Sequence, residues 1–254
     1  LYKGCDCPQI MTLYLIGLGL WDEKDISLRG LEAVKKCPDV YLESYTSKLN
    51  CSKGELEKLY GKTVIEADRG FVENGEKIIE EAKKKNVALL VVGDVFSATT
   101  HTGLFLEAKK AGVRVKVVPN ASVLTAIGLV GLSLYKYGTT VSLPYADYEL
   151  KSAKENIEKN KNNGQHTLIL LDIKAEEGRF MTVNEAVEIL LKEKIIVPDT
   201  KLVGCARLGS FESVIKYGDA EKLKKEDFGE PLHCLVLPGK MHFVEEEMAK
   251  EWQL

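Results

Sequence analysis

The sequence predicts an α/β protein, in which apolar strands alternate with amphipathic helices along the chain. Two segments carry this prediction, residues 13–22 (LYLIGLGLWD) and residues 91–101 (VVGDVFSATTH). In each, an apolar strand ends in a glycine-containing turn and then leads toward a helix. Ligands of open α/β sheets bind at the carboxyl ends of the strands, so we expect both turns to lie at one binding site.

Composition restricts the class of protein. The 254 residues, 45% hydrophobic and 29% charged, suit one large domain or two modest ones. A net charge of −3 argues against a basic nucleic-acid-binding face. No apolar run is long enough to span a membrane. None of the cysteines has the spacing of a zinc site, and a reduced, cytoplasmic setting is favoured over a disulfide framework. The cysteines are Cys5, Cys7, Cys37, Cys51, Cys205 and Cys234.

The first half of the chain predicts an N-terminal α/β domain over residues 11–119, with a parallel sheet. Residues 1–10 show no periodic pattern, and we interpret them as a disordered or artefactual leader. Ser27 is expected to cap a helix that stops before Pro38, and Gly112 to end another. The expected strands are 13–16, 40–42, 87–92 and 113–118, and the expected helices include 75–86 and one from about residue 102.

The second half predicts a C-terminal α/β domain over residues 120–254. Ser122 could cap a helix of small residues, and Thr182 with Glu185 has the pattern of a capping box at a helix start. The expected strands are 139–143, 167–171, 201–206 and 232–237, and the further helices are 148–161 and 243–252.

The turn after the first strand favours a cofactor without phosphate groups. A dinucleotide-binding fingerprint would need a third glycine where Asp22 stands. The carboxylates of Asp22, Glu23 and Asp25 would repel a pyrophosphate, which disfavours a nicotinamide oxidoreductase. S-adenosylmethionine, with a positive sulfonium and no phosphate, suits the turn better. The alternative is that Gly17 and Gly19 only permit a tight turn.

Polar residues after the central strand are a second candidate group. Asp94 could accept hydrogen bonds from a ribose or an amino group, or it could bond to its own turn. His101 is a candidate proton acceptor, although with Thr99 and Thr100 it could equally form the start of the following helix.

Nine segments together resemble diphthine synthase, the family that methylates the modified histidine of translation elongation factor 2 during diphthamide synthesis. The resemblance runs from Met11 nearly to the C-terminus. It implies the tetrapyrrole methylase-like fold, with two α/β domains and the cofactor cleft between them, S-adenosylmethionine as methyl donor, and a homodimer. The segments are 13–25 (LYLIGLGLWDEKD), 41–47 (YLESYTS), 93–101 (GDVFSATTH), 120–123 (NASV), 131–138 (GLSLYKYG), 166–174 (HTLILLDIK), 181–186 (MTVNEA), 206–209 (ARLG) and 238–242 (PGKMH).

The resemblance also implies a set of cofactor contacts. Most are apolar, as expected where backbone groups bond the ligand and side chains shape a pocket. Leu171 and Leu208 could instead be plain core. No metal is implied and no catalytic residue can be assigned; His101 and Asp172 are candidate proton acceptors, and solvent is a third. The implied contacts are Leu20, Asp94, Ser97, Ser122, Val123, Leu171, Leu208 and His233.

Two departures from the family pattern matter. Val95 stands where the family usually has proline, which loosens the loop but leaves the Asp94 acceptor in place. The short stretch at 175–180 favours the archaeal type of enzyme, which adds three methyl groups to the amino group, over the type that also esterifies the carboxylate.

Two alternatives are a tetrapyrrole methylase of cobalamin synthesis and a non-catalytic module that binds elongation factor 2. The first would need an arginine-rich acceptor trough, and the chain has few arginines. If the chain binds the cofactor and transfers a methyl group, the second alternative, a non-catalytic module, is excluded. The arginines are Arg29, Arg69, Arg114, Arg179 and Arg207.

Overall fold

The computed structural model describes residues 11–43, 45–97, 99–145 and 150–254, apart from the side chain of Glu176. The chain divides into two compact units, one that ends at Ser122 and one that begins at Val123. The domain boundary predicted from the sequence lies between residues 119 and 120, and the predicted leader, residues 1–10, lies outside the described residues.

The first unit is built on a parallel five-stranded sheet with the order β3-β2-β4-β1-β5. The prediction of a parallel sheet is confirmed. All five residues of the central strand β4 are buried, as a strand covered on both faces requires. The strands are β1 (Thr12–Gly17), β2 (Asp39–Glu43), β3 (Ile65–Ala67), β4 (Val87–Val91) and β5 (Arg114–Val118).

The helices of the first unit begin and end where local chemistry dictates. Ser27 accepts a hydrogen bond from the Gly30 backbone at 3.1 Å, so its predicted cap is confirmed. Gly112 takes a left-handed φ of 77° just after α5, also as predicted. Strand β3 and helices α2 and α3 are not among the elements predicted from the sequence. The helices are α1 (Leu28–Lys35), α2 (Lys53–Tyr60), α3 (Arg69–Asn74), α4 (Glu76–Ala82) and α5 (Thr102–Lys110), with a 3₁₀ turn at Glu23–Asp25.

The second unit has a mixed five-stranded sheet with the order β11-β10-β12-β7-β6. The pair β6–β7 is parallel and the other pairings are antiparallel. Two very short strands form a separate ribbon beyond β7. The strands are β6 (Val141–Leu143), β7 (Thr167–Leu171), β8 (Ile173–Lys174), β9 (Arg179–Phe180), β10 (Lys201–Ala206), β11 (Val214–Asp219) and β12 (His233–Leu237).

Helices complete the second unit. The predicted capping box of Thr182 and Glu185 is confirmed at the start of α8. The expected helix over 148–161 is present from Lys151, while residues 148 and 149 lie outside the described residues. The helices are α6 (Val123–Ala126), α7 (Lys151–Asn162), α8 (Val183–Lys192), α9 (Ala220–Leu223) and α10 (Phe243–Glu251), with 3₁₀ turns at Ile127–Val130, Leu134–Lys136 and Ala175–Glu177.

Within the described ranges, no helix is both long and apolar enough to cross a membrane. In the same residues, no group of histidine, cysteine and carboxylate side chains is arranged to hold a metal ion.

Candidate active site

The turns that follow β1 and β4 are joined by two backbone hydrogen bonds. Gly19 donates to the Gly93 carbonyl at 3.1 Å, and Gly93 donates back at 2.6 Å. Glycine is required at position 17, because a Cβ atom there would lie 2.7 Å from the Gly93 oxygen and 2.9 Å from the Asn120 Cβ. The two turns singled out in the sequence therefore adjoin at the carboxyl edge of the first sheet.

The first turn is closed by a carboxylate. Asp25 Oδ2 accepts hydrogen bonds from the backbone amides of Leu20 at 3.0 Å and Trp21 at 2.8 Å. A phosphate-binding loop needs such amides free to donate to the ligand. In this turn the amides of Leu20 and Trp21 already donate to Asp25, which suits a ligand without phosphate such as S-adenosylmethionine. Asp25 thus has a more specific role than the repulsion expected from the sequence.

Asp94 ties two loops together. Its Oδ1 accepts from the Phe96 backbone at 3.1 Å and from the Ser97 hydroxyl at 3.0 Å. Its Oδ2 accepts from the Asn120 backbone, beyond β5, at 3.0 Å. The carboxylate therefore bonds to its own turn and also fixes the neighbouring loop, and the Ser97 hydroxyl is committed to this network.

Asn120 is a functional candidate that the sequence analysis quoted only as part of a motif. Its side-chain amide donates to the backbone carbonyls of Gly17 and Asp25, both at 3.0 Å. With the bond to Asp94, this residue connects the segments that follow β1, β4 and β5. Its position directly after a predicted strand and Pro119 was the signal available in the sequence. Ser122, a predicted contact, follows two residues later and is buried.

In the second unit, three predicted contacts lie at one end of the sheet. Leu171 ends β7, His233 begins β12, and Leu208 lies two residues beyond Ala206, the last residue of β10. The strand registers, with Ala206 opposite His233 and Cys234 opposite Leu170, bring these ends together.

Leu171 and Leu208 are also members of apolar cores, as their alternative interpretation expects. Val123 begins α6 and packs against the core cluster that contains Leu208. The predicted contacts thus fall into two groups. Leu20, Asp94, Ser97 and Ser122 belong to the first unit, and Val123, Leu171, Leu208 and His233 to the second.

The ring of His233 is fully engaged within its own unit. Its Nδ1 accepts from the Val183 backbone at 3.3 Å, which leaves the proton on Nε2. Nε2 lies 3.1 Å and 3.2 Å from the carbonyl oxygens of Gly229 and Glu230. Burial lowers the pKa of His233, so the ring is neutral near pH 7. Its ring nitrogens position the loop before β12 and leave no free donor for a ligand.

Arg207 fixes the same loop, a role that the sequence analysis missed. It adopts a left-handed φ of 52°, uncommon for a residue other than glycine. Its guanidinium donates to the carbonyl oxygens of Phe228 at 2.8 Å and Glu230 at 2.6 Å. Backbone strain at the end of β10 is therefore offset by hydrogen bonds that hold the segment next to Leu208.

The structure separates the two candidate proton acceptors. Asp172 is occupied, since its carboxylate accepts from the backbone amides of Ile173 at 2.9 Å and Tyr145 at 3.2 Å. His101 is 1% exposed, and neither ring nitrogen has a hydrogen-bond partner among the described residues. Burial lowers the pKa of His101, which keeps the ring neutral and able to accept a proton.

Comparisons with known proteins agree with this architecture. The model of the family Tetrapyrrole (Corrin/Porphyrin) Methylases matches residues 12–224. The diphthine synthase of Methanocaldococcus jannaschii is 44% identical, over 94% of this chain and 97% of that protein. The diphthine methyl ester synthase of Dictyostelium discoideum is also 44% identical, over 93% and 96%. A crystal structure of diphthine synthase superposes with a TM-score of 0.90 at 43% identity, over 95% of this chain and 96% of that chain.

The predicted fold and family are thereby confirmed. Family model, relatives and solved structure agree over nearly the whole length of the chain. The chain belongs to the diphthine synthase family within the tetrapyrrole methylases, a family of S-adenosylmethionine-dependent methyltransferases that act in diphthamide biosynthesis.

Proposed function

We propose that this chain methylates, in successive steps, the amino group of the 3-amino-3-carboxypropyl-histidine of translation elongation factor 2, giving diphthine. Its family membership supports the reaction class. The observation that carries the proposal is the pair of joined turns at Gly19 and Gly93. Asp25 occupies the backbone amides of the first turn, which suits a ligand without phosphate groups such as S-adenosylmethionine.

The reaction is an in-line displacement. When bound, S-adenosylmethionine supplies a methyl group that is already activated by its positive sulfur. The amine lone pair forms the new bond to the methyl carbon, and the electrons of the broken carbon–sulfur bond remain on sulfur. The chain therefore contributes mainly by positioning, which can lower the barrier by about 7–11 kcal/mol relative to a free encounter. The quaternary product has no lone pair, so N-methylation stops by itself.

The proposed cofactor contacts act largely through backbone. Leu20 lies in the closed turn, and Asp94 and Ser97 form the network that fixes the second turn. Because the Asp94 carboxylate holds the Asn120 backbone, it sets the position of the loop that leads to Ser122. Val123, Leu171, Leu208 and His233 are the proposed contacts from the second unit, where His233 and Arg207 stabilise the supporting loop.

The test is the intact mass of the acceptor. Elongation factor 2 that carries the 3-amino-3-carboxypropyl-histidine is incubated with the purified chain and S-adenosylmethionine. We expect a mass increase of three methyl groups, with none on factor whose histidine is unmodified. Absence of methyl transfer from a chain that binds S-adenosylhomocysteine by calorimetry would contradict the proposal.

A second candidate is an enzyme that also esterifies the carboxylate of the same arm. The observation in its favour is that a relative named diphthine methyl ester synthase is as similar to this chain, at 44% identity, as one named diphthine synthase. The same mass measurement distinguishes them, because the ester would add a fourth methyl group that mild alkali removes. The short stretch at 175–180 favours the addition of three methyl groups without the ester.

We also infer a homodimer in the cytoplasm. The support for an interface is a set of exposed apolar side chains on the second unit, namely Leu134, Phe243 and Val244. Ser133 donates to Glu245, which brings the two segments that carry these side chains together. Light scattering should give a molar mass twice that of the monomer, and the Phe243→Asp variant should give a lower mass.

The free thiols of Cys37, Cys51, Cys205 and Cys234 suit a reducing compartment such as the cytoplasm.

A further inference from the structure

Three buried polar side chains in the first unit make no hydrogen bond of good geometry, and two of them lie near one carboxylate. These two are the imidazole of His101, which is 1% exposed, and the hydroxyl of Tyr45, whose side chain is 5% exposed. Both are influenced by the charge of Glu43. Buried polar groups in folded proteins are nearly always hydrogen-bonded, and exceptions commonly mark a bound water, an ion or a functional role. Two exceptions on segments that leave the same edge of one sheet therefore require an explanation.

Both side chains stand at the edge of the sheet that carries the proposed cofactor turns. Tyr45 lies two residues beyond Glu43, the last residue of β2. Strand β2 pairs in parallel with β4, with Leu42 opposite Leu90, so the segments that follow both strands emerge at the same edge. His101 lies in the segment after β4, four residues beyond Ser97. The unpartnered groups and the Asp94 network thus share one edge of one sheet.

A buried carboxylate faces this region. Glu43 has no exposed surface, and it accepts hydrogen bonds from the Tyr45 backbone at 2.8 Å and from the backbone and hydroxyl of Thr46 at 2.6 Å and 2.7 Å. Burial lowers the pKa of His101, while the charge of Glu43, the Val95 backbone near the ring and the charge of Glu73 on α3 oppose that shift. A cation is also close to this region, since the Arg69 guanidinium lies 5.2 Å from the Tyr45 ring centre. A neutral imidazole therefore lies in the field of acidic groups that would stabilise its protonated form.

The proposed reaction needs a proton acceptor. The acceptor amine is protonated in water and must lose a proton before it can attack. Each of the first two transfers again produces an ammonium that must lose a proton before the next. We propose that His101 accepts these protons through water held between its ring and the Tyr45 hydroxyl. The ammonium becomes a neutral amine and the imidazole an imidazolium, which Glu43 stabilises and which later returns its proton to solvent.

This inference rests on the proposed methylation of elongation factor 2, and the principal test is His101→Gln, which keeps a polar side chain but cannot titrate. General base catalysis contributes about 10²–10⁴-fold, so the single-turnover rate near pH 7 should fall by at least about 100-fold. The deficit should shrink as the pH rises toward the pKa of the amine, since the free amine then forms without help. Affinity for S-adenosylhomocysteine should be unchanged.

A matched pair of tyrosine variants tests the water site. Tyr60 also has a buried hydroxyl without a partner, but it belongs to the core on the other face of the same sheet. Alternation along β4 shows this, because Leu89 packs in the core that contains Tyr45 and Leu90 in the core that contains Tyr60. Tyr45→Phe should lower the rate and change its pH profile, while Tyr60→Phe should alter neither.

The outcomes separate this inference from the proposed function. If the wild-type chain transfers no methyl group to the factor, both fail. If the wild type is active and His101→Gln is equally active at every pH, solvent takes the proton and only the role of His101 is overturned. A loss that is the same at every pH, or one accompanied by weaker cofactor binding, would also overturn it, since it indicates a structural role.

Discussion

His101 in the first unit and His166 in the second are both almost completely buried, yet their surroundings differ. His166 accepts a hydrogen bond from the Gly239 backbone at 2.9 Å on Nδ1, and its Nε2 lies 3.2 Å from Glu245 Oε1. His101 has no partner on either nitrogen among the described residues. Burial lowers the pKa of both rings. Burial alone therefore does not define the role of a histidine; the state of its hydrogen bonds distinguishes a structural ring from one available for chemistry.

Glu245 is the centre of the satisfied network. Burial opposes its ionisation, but hydrogen bonds from Lys136, from the His242 backbone and from Ser133 outweigh that cost and hold its pKa well below the usual range. The carboxylate thereby connects the start of α10 to the 3₁₀ turn at Leu134–Lys136 and to the start of β7.

The largest effect we expect is on stability. Glu245→Ala would leave the Lys136 ammonium and the His166 ring without their partner. Removal of one member of a buried ion pair typically costs about 3–5 kcal/mol, so the free energy of unfolding should fall by that amount. Urea denaturation measures it. The control is Glu247→Ala, an exposed residue on the same helix, which should change stability by less than about 0.5 kcal/mol. Similar losses for both would mean that the network is not stabilising.

Asp94 is a satisfied carboxylate of the first unit, and its loss should weaken cofactor binding. Asp94→Ala releases the Asn120 backbone and the Ser97 hydroxyl, so affinity for S-adenosylhomocysteine should fall by about 1.5–3 kcal/mol, or at least about tenfold. Asp94→Asn is the sharper variant. Its amide can still accept on one side but meets the Asn120 N–H with a donor on the other. Calorimetry should show that Asp94→Asn binds S-adenosylhomocysteine nearly as weakly as Asp94→Ala.

If Asp94→Asn instead binds with wild-type affinity while Asp94→Ala does not, the link to Asn120 is dispensable and the carboxylate serves only its own turn. Wild-type affinity in both variants would remove the Asp94 side chain from the site altogether.

Acidification should destabilise the fold through its buried histidines. His101, His166 and His233 all have pKa values lowered from the ordinary 6.5 by burial. A group whose pKa is lower in the folded than in the unfolded chain stabilises the fold above its unfolded pKa, and this contribution is lost as the pH falls. The free energy of unfolding should therefore decrease below about pH 6.5, and less steeply in His101→Leu than in the wild type. Equal slopes would show that His101 does not titrate on unfolding.

The sequence predicted the framework of the fold because the framework follows from local patterns. Apolar runs such as 87–92 became central strands, and Ser27, Gly112 and Thr182 ended or began helices through bonds within a few residues. The elements that were not predicted are those whose local pattern is weak. Helix α2 was overlooked although Ser52 and Glu55 form a capping box, because its short, charged segment lacks a strong apolar stripe.

The site was less predictable because its bonds join residues far apart in the chain. The contact of Asn120 with the Gly17 carbonyl spans 103 positions and has no local signature. Asp25 was expected to repel phosphate, but the sequence could not show that it occupies the amides of Leu20 and Trp21. Likewise, nothing in the pattern around His101 and His166 indicates that one ring would be bonded and the other not.

The smallest expected effect is the most direct check on the comparison of the two histidines. His101→Leu removes a buried ring that forms no hydrogen bond, and replacing such a group by an apolar side chain of similar size is close to neutral or stabilising. The free energy of unfolding at neutral pH should therefore change by less than about 1 kcal/mol, with any change on the stabilising side. His166→Leu, the matched control, leaves the Gly239 amide without its acceptor and removes one of the hydrogen bonds of the Glu245 carboxylate, so it should be clearly destabilising. A loss of more than about 2 kcal/mol in His101→Leu would mean that the ring has a partner that matters for folding. In that case the absence of bonds around His101 would no longer distinguish it from His166, and its role as proton acceptor would lose its structural basis.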